Sequence, residues 1–176
     1  MNEKIIDILV NAQRNYNNVS LRKLRAVEEY FHFEKVNDED MKKLGDDVVK
    51  VIGNPDNEFS LVIKDMDGKE VYRHLSSDKA LRNVEFGIRK GNIVKEYKHS
   101  SIYPLIMYAM GFEDLKYFDR DEVLPTAGGF PIFEDNKLKY VAEISGFKQG
   151  KDFNVFIEGL SLFLDKKIPV FDDYLV

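Results

Sequence analysis

The order of periodicities along the chain predicts an α+β fold: a central antiparallel sheet of about five strands flanked by helices, preceded by an N-terminal helical extension. Three observations carry this. Two stretches read as β-hairpins, 59–75 around Asp67-Gly68 and 132–145 around Asp135-Asn136. Amphipathic segments with apolar residues three and four apart lie before, between and after them. A length of 176 residues suits one domain. A chain of this size buries roughly 70% of the surface it exposes unfolded, enough for a core without crosslinks.

Residues 3–15 place Ile5, Ile6, Ile8, Leu9 and Ala12 near one side of a helix. Tyr16-Asn17-Asn18 breaks it, and Ser20 is the expected cap of a second helix carrying Leu21, Leu24 and Val27. These two helices make an extension over 1–27, with the main domain over 28–176. Tyr30-Phe31-His32-Phe33 is aromatic enough to be extended. Asn37 to Asp40 caps and charges the start of a helix with the stripe Met41, Leu44, Val48, Val51 and Ile52, stopped by Gly53-Asn54-Pro55. Asp67-Gly68 predicts a type I′ turn. Ser76-Ser77-Asp78 opens a long helix over 79–97, with Leu81, Val84, Ile88 and Val94 expected inside. Gly87 and Gly91, four apart, leave a shallow patch on it where another backbone can approach. A helix over 101–111 carries Pro104 in its first turn, and a last helix is expected over 149–164.

Composition excludes several functions. Cysteine is absent, which removes disulfides, thiolate catalysis, zinc ribbons and iron–sulfur clusters. A formal charge of −5 argues against general nucleic-acid binding, which depends on phosphate neutralisation. No apolar run reaches 18 residues, so no membrane span is expected. The first ten residues are interrupted by Asp7 and do not read as a signal peptide, so a cytoplasmic protein is expected.

Four groups of residues are candidates for chemistry. Gly128 and Gly129, in Ala127-Gly128-Gly129-Phe130-Pro131, can present backbone N–H groups to an anion, with Pro131 fixing the chain as it enters the sheet; the same residues suit a tight turn. Arg89 and Lys90 can hold a carboxylate, while Glu85 is correctly spaced to take Arg89 as a surface ion pair and Lys90 can extend its stem along the core. His99, followed by Ser100 and Ser101, is placed either to cap a helix end or to ligate iron. Asp65 to Glu70 looks superficially like a calcium loop but has Ser76 at its twelfth position, which assigns it to the hairpin. His32, His74 and His99 have no helical pair spacing, and no metal site is expected.

Leu44-Gly45, the Asp-Gly hairpin, Ile88-Arg89-Lys90, His99-Ser100-Ser101, Gly128-Gly129-Phe130-Pro131-Ile132 and Ser145-Gly146 occur in an order that resembles the GlcG/HbpS-like proteins, also called the haem-degrading-domain family, and within it the small single-domain members. The resemblance spans about residues 28–168. It implies a profilin-like fold, self-association into dimers or larger closed assemblies, and binding of a small anionic molecule, with haem or another tetrapyrrole as the cofactor some relatives take. Arg89, Lys90, His99, Ser100, Gly128, Gly129 and Pro131 are the ligand-binding residues it points to; it assigns no catalytic residue. Two departures bear on activity. The branch tends to carry histidine where this chain has Ala127, and an acidic residue followed by histidine where it has Asp152-Phe153. A non-enzymatic sensor or interaction module on the same scaffold is the alternative.

Overall fold

A computed structural model describes residues 3–148 and 150–171. Helices α1 (Glu3–Asn15) and α2 (Asn18–Glu28) come first, then a two-residue strand β1 (His32–Phe33) and α3 (Asp38–Ile52). The hairpin β2 (Ser60–Asp65) and β3 (Glu70–Leu75) leads to α4 (Leu81–Tyr97) and α5 (Tyr103–Ala109). Strands β4 (Gly129–Glu134) and β5 (Lys137–Ser145) and helix α6 (Lys151–Leu164) complete the order. The expected start of the last helix, Gln149, lies outside the described residues.

The sheet has five strands in the order β1-β4-β5-β2-β3. It is mixed rather than wholly antiparallel, because β1 runs parallel to β4. Alternation along β5 sends Ala142 and Ile144 to one face and Glu143 to the other, and their partners Ile63, Leu61 and Val62 on β2 follow suit. Helices α3 and α6 cover the first face, and α4 crosses β5, β4 and β2 on the second. The first face holds the main core. There Phe130 stacks on Phe156 at 4.0 Å, and Phe31 and Phe153 meet the Phe130 ring at 5.9 and 5.3 Å. Such pairs contribute about 0.5–1.5 kcal/mol each beyond the area they bury. Ile5, Ile8, Leu9, Ala12, Leu24 and Val27 join this same core, with α1 packed on α5.

Local chemistry departs from expectation at three points. Asn17, not Ser20, caps α2; Ser20 sits at the third position and returns a bond to the Asn17 N–H, completing a capping box. At the first hairpin only Gly68 has positive φ, at 85°. The Asp65 carboxylate accepts from the Asp67 and Lys69 N–H groups and organises a longer loop there. The turn with both central residues at positive φ is the second one, Asp135 at 47° and Asn136 at 61°. On α4, Leu81 and Ile88 are exposed and Val84 and Val94 buried. The helix is rotated away from its apolar stripe, because the surface it lays on the sheet is built from Gly87 and Gly91.

Candidate functional site

Glycine spacing on α4 sets the geometry. Gly87 and Gly91 are one turn apart, and the Glu143 side chain of β5 lies in the notch they leave. A Cβ on Gly91 would sit 2.8 Å from the Glu143 Cδ. In the notch Glu143 accepts from Lys64 Nζ at 3.0 Å, with the two side chains 2% and 12% exposed. Burial pushes the Glu143 carboxyl up, against the opposing pull of Lys64.

A second buried pair joins α4 to the first turn of α6. Lys90 Nζ donates to Asp152 Oδ2 at 2.8 Å and to the Ile144 carbonyl at 3.1 Å. Asp152 Oδ1 accepts from the Phe147 N–H at 3.1 Å. Burial raises the Asp152 carboxyl above the ordinary range although Lys90 opposes it. Gly128, at φ 123°, passes so close that a Cβ there would lie 2.8 Å from Lys90 Nζ. The basic residue of the helix and the paired-glycine bend therefore meet, but the chain's own carboxylate neutralises the amine. The Gly129 N–H is also taken: it donates to Ser101 Oγ at 2.9 Å, and that hydroxyl donates onward to the Thr126 carbonyl. Pro131 is buried in β4 opposite Val141.

Lys90 and Asp152 line a cavity of about 720 Å³, together with Asn83, Phe86, Arg89 and Phe118. Its size falls in the usual range for small-ligand sites. Arg89 is turned towards the 123–124 segment instead of pairing with Glu85. Its Nη2 donates to the Val123 carbonyl at 3.1 Å, and its Nε is buried without a partner. Arg120, on the same cavity, is held by Glu96 and Glu122. Arg89 is thus a half-buried guanidinium that no carboxylate among the described residues holds in an ion pair.

His99 lies elsewhere. It lines a separate cavity of about 310 Å³ with Arg25, Glu28, His32, Lys98 and Phe133. Its Nδ1 is 2.6 Å from Glu28 Oε2, and its ring stacks on Tyr103 at 4.0 Å. The other Glu28 oxygen accepts the Ser100 N–H at 2.7 Å, while Ser100 Oγ is buried without a partner. The candidate residues therefore divide into two places: Arg89 and Lys90 with Gly128 at one, His99 and Ser100 at the other. Asn83 and Glu28 escaped sequence reasoning; Asp152, at the head of the last helix, drew notice only for the phenylalanine that follows it, not as the partner of Lys90.

Haem tests this division. Among the described residues the 720 Å³ cavity is lined by no histidine, methionine, cysteine or tyrosine, the usual protein donors to haem iron. Its lining mixes apolar side chains with cations and with the carboxylates Asp119 and Asp121, and His99 is not among them to ligate iron. No three His, Cys, Asp or Glu side chains among the described residues come together as a metal site, and no helix among them is long and apolar enough to cross a membrane.

No family model matches the chain, and no curated protein matches it by sequence. Solved structures do. The Ybr137w protein matches with a TM-score of 0.72 at 19% identity, over 96% of this chain and 98% of that one, a span that takes in most of α1 and α2. HbpS matches at 0.57 and 14% identity, over 73% of this chain and 89% of that one. PduOC, solved as a haem complex, matches at 0.58 and 17% identity, over 72% and 93%. The chain has the fold of the HbpS and PduOC proteins, the architecture that its resemblance to the GlcG/HbpS-like family implies.

Proposed function

We propose that this chain is a small-ligand-binding protein of the GlcG/HbpS-like kind, and that its 720 Å³ cavity takes a small organic anion, with tetrapyrrole carboxylates such as haem among the candidates. The observation that carries the reading is Arg89: it lines the cavity, has no carboxylate partner among the described residues and leaves one buried N–H unsatisfied. Phe86 and Phe118 supply rings against which an apolar body packs. Lys90 acts through Asp152 as a neutral floor rather than as a free cation. His99 and Ser100, with Gly129 and Pro131, hold the surrounding loops in place. The same reading takes the protein as cytoplasmic and, as the resemblance implies, self-associated; light scattering that finds only monomer at tens of micromolar would remove the second part.

The test is titration with haem and with metal-free protoporphyrin IX, followed by absorbance and calorimetry. Both should bind with similar affinity, because the acid groups and not the iron make the contacts. Arg89→Met should weaken both about tenfold, the effect of one lost charge-assisted hydrogen bond. His99→Ala should leave both unchanged. Equal affinity in the parent and Arg89→Met proteins would overturn the assignment.

A further inference from the structure

We infer that helix α1 is part of the binding site, and that the cavity takes an amphipathic organic acid whose apolar body rests on Ile5 and Ile8 while its acid group meets Arg89. This rests on the reading of the cavity as an anion site and adds what covers it and what shape of anion it accepts.

Lys4, Ile5 and Ile8 occupy one face of α1 at spacings of one and four, and all three line the 720 Å³ cavity. Ile5 and Ile8 are buried already, at 8% and 5% exposure, so they form a fixed wall. The sequence-distant Phe86, Phe118 and Phe147 add to this apolar lining, and Arg89 stands beside it with other charged groups, Lys4, Lys148, Arg120, Asp119 and Asp121 among them. An inorganic anion would satisfy Arg89 and leave the apolar walls unfilled. A neutral hydrocarbon would fill the walls and leave Arg89 without a counter-charge. A carboxylic acid with a flat or chain-like body answers both.

The way α1 is held makes occupancy matter to the helix itself. It has 13 residues, a length at which an isolated helix is marginal in water. It packs on α5, where Gln13 Nε2 donates to Tyr108 Oη at 3.3 Å, and the chain passes from it to α2 through Tyr16 and the capping residue Asn17. A ligand lying against Ile5 and Ile8 therefore adds contacts to an element whose order depends on docking.

The test uses the full chain with two fluorescent probes, pyrenebutyrate and its uncharged methyl ester. Pyrenebutyrate should bind saturably, and the ester about tenfold more weakly. Arg89→Met should erase that difference. Ile8→Trp, which fills the cavity from α1, should weaken both probes at least about tenfold. Because that variant can disturb folding, amide exchange in the parent protein gives a second readout: pyrenebutyrate should slow exchange over residues 5–12. Parental affinity in a folded Ile8→Trp protein, or α1 amides indifferent to the probe, would overturn the role of α1 and leave the anion reading standing. A carboxylate preference that survives Arg89→Met would overturn the anion reading itself. Absence of saturable pyrenebutyrate binding would overturn the amphipathic-acid assignment, while the porphyrin titrations judge the anion site separately.

Discussion

Two buried lysine–carboxylate pairs flank the same helix, and they are built for different ends. Lys64–Glu143 closes the glycine notch of α4: the carboxylate fills the space that Gly87 and Gly91 leave, and neither member lines the large cavity. Lys90–Asp152 forms part of that cavity's wall, with the Phe147 N–H and the Ile144 carbonyl satisfying what the ion pair leaves over. The chemistry is the same, but the first pair locks a helix to a sheet and the second presents a balanced polar surface to whatever enters. A pair of this second sort gives a ligand hydrogen-bonding partners without a net charge, so charge selection falls to the other charged groups of the lining, Arg89 among them.

The largest expected effect breaks the second pair. Asp152→Ala leaves Lys90, only 3% exposed, as an uncompensated buried cation. The expected loss is about 3–5 kcal/mol. The double replacement Lys90→Met with Asp152→Leu should recover most of it, because removing both charges removes the desolvation cost as well. Glu143→Ala should cost less, about 1–2 kcal/mol, since the Lys64 side chain is 12% exposed and can turn its amine to water. Urea unfolding of the four proteins checks the ranking. Equal losses for Asp152→Ala and Glu143→Ala would erase the distinction between the two pairs.

These pairs also mark where the sequence stopped being informative. The hairpins, the Asn37 cap and the apolar stripe of α3 were legible because each is set by neighbours within a few positions. The turn type was misplaced because the Asp65 side chain, outside the Asp67-Gly68 dipeptide, decides the loop. The orientation of α4 was misjudged because an apolar stripe normally marks the buried face, and here a glycine notch took its place. Lys90 was visible as a candidate, but its partner lies 62 positions away, and His99 answers to Glu28 at a separation of 71. Local pattern identifies a cation; only the fold shows whether its charge is already spent.

The notch itself supplies the next test. Gly91→Ala places a methyl 2.8 Å from the Glu143 Cδ, so the carboxylate must move away from Lys64 or the helix must lift from the sheet. Overpacking of this kind costs about 1–3 kcal/mol. Gly87→Ala is the control, since the nearest atom its Cβ would meet is the Glu143 Cβ, at 3.3 Å, and a shift of a few tenths of an ångström relieves it. Thermal unfolding should therefore fall further for Gly91→Ala than for Gly87→Ala. Addition of Glu143→Ala should restore part of the Gly91→Ala loss, because it empties the notch. Independent, additive losses would show that the two positions do not share that space.

The smallest effect is a pH dependence that belongs to the first pair. Burial raises the Glu143 carboxyl above its ordinary value of 4.5, so the folded protein holds this proton more tightly than the unfolded chain does. A carboxyl shifted in that direction contributes stability that is fully present below its unfolded value and is lost as pH rises through the folded one. Glu143→Gln removes the titration while keeping the shape. The stability of the parent relative to this variant should accordingly decline as pH rises from about 4 towards neutrality. Asp152 shifts the same way in both proteins and cancels from the comparison. Unfolding free energies measured at intervals across that range give the slope. A difference that stays level would mean that Lys64 fully offsets the burial of Glu143, and the notch would then hold an ion at no electrostatic cost.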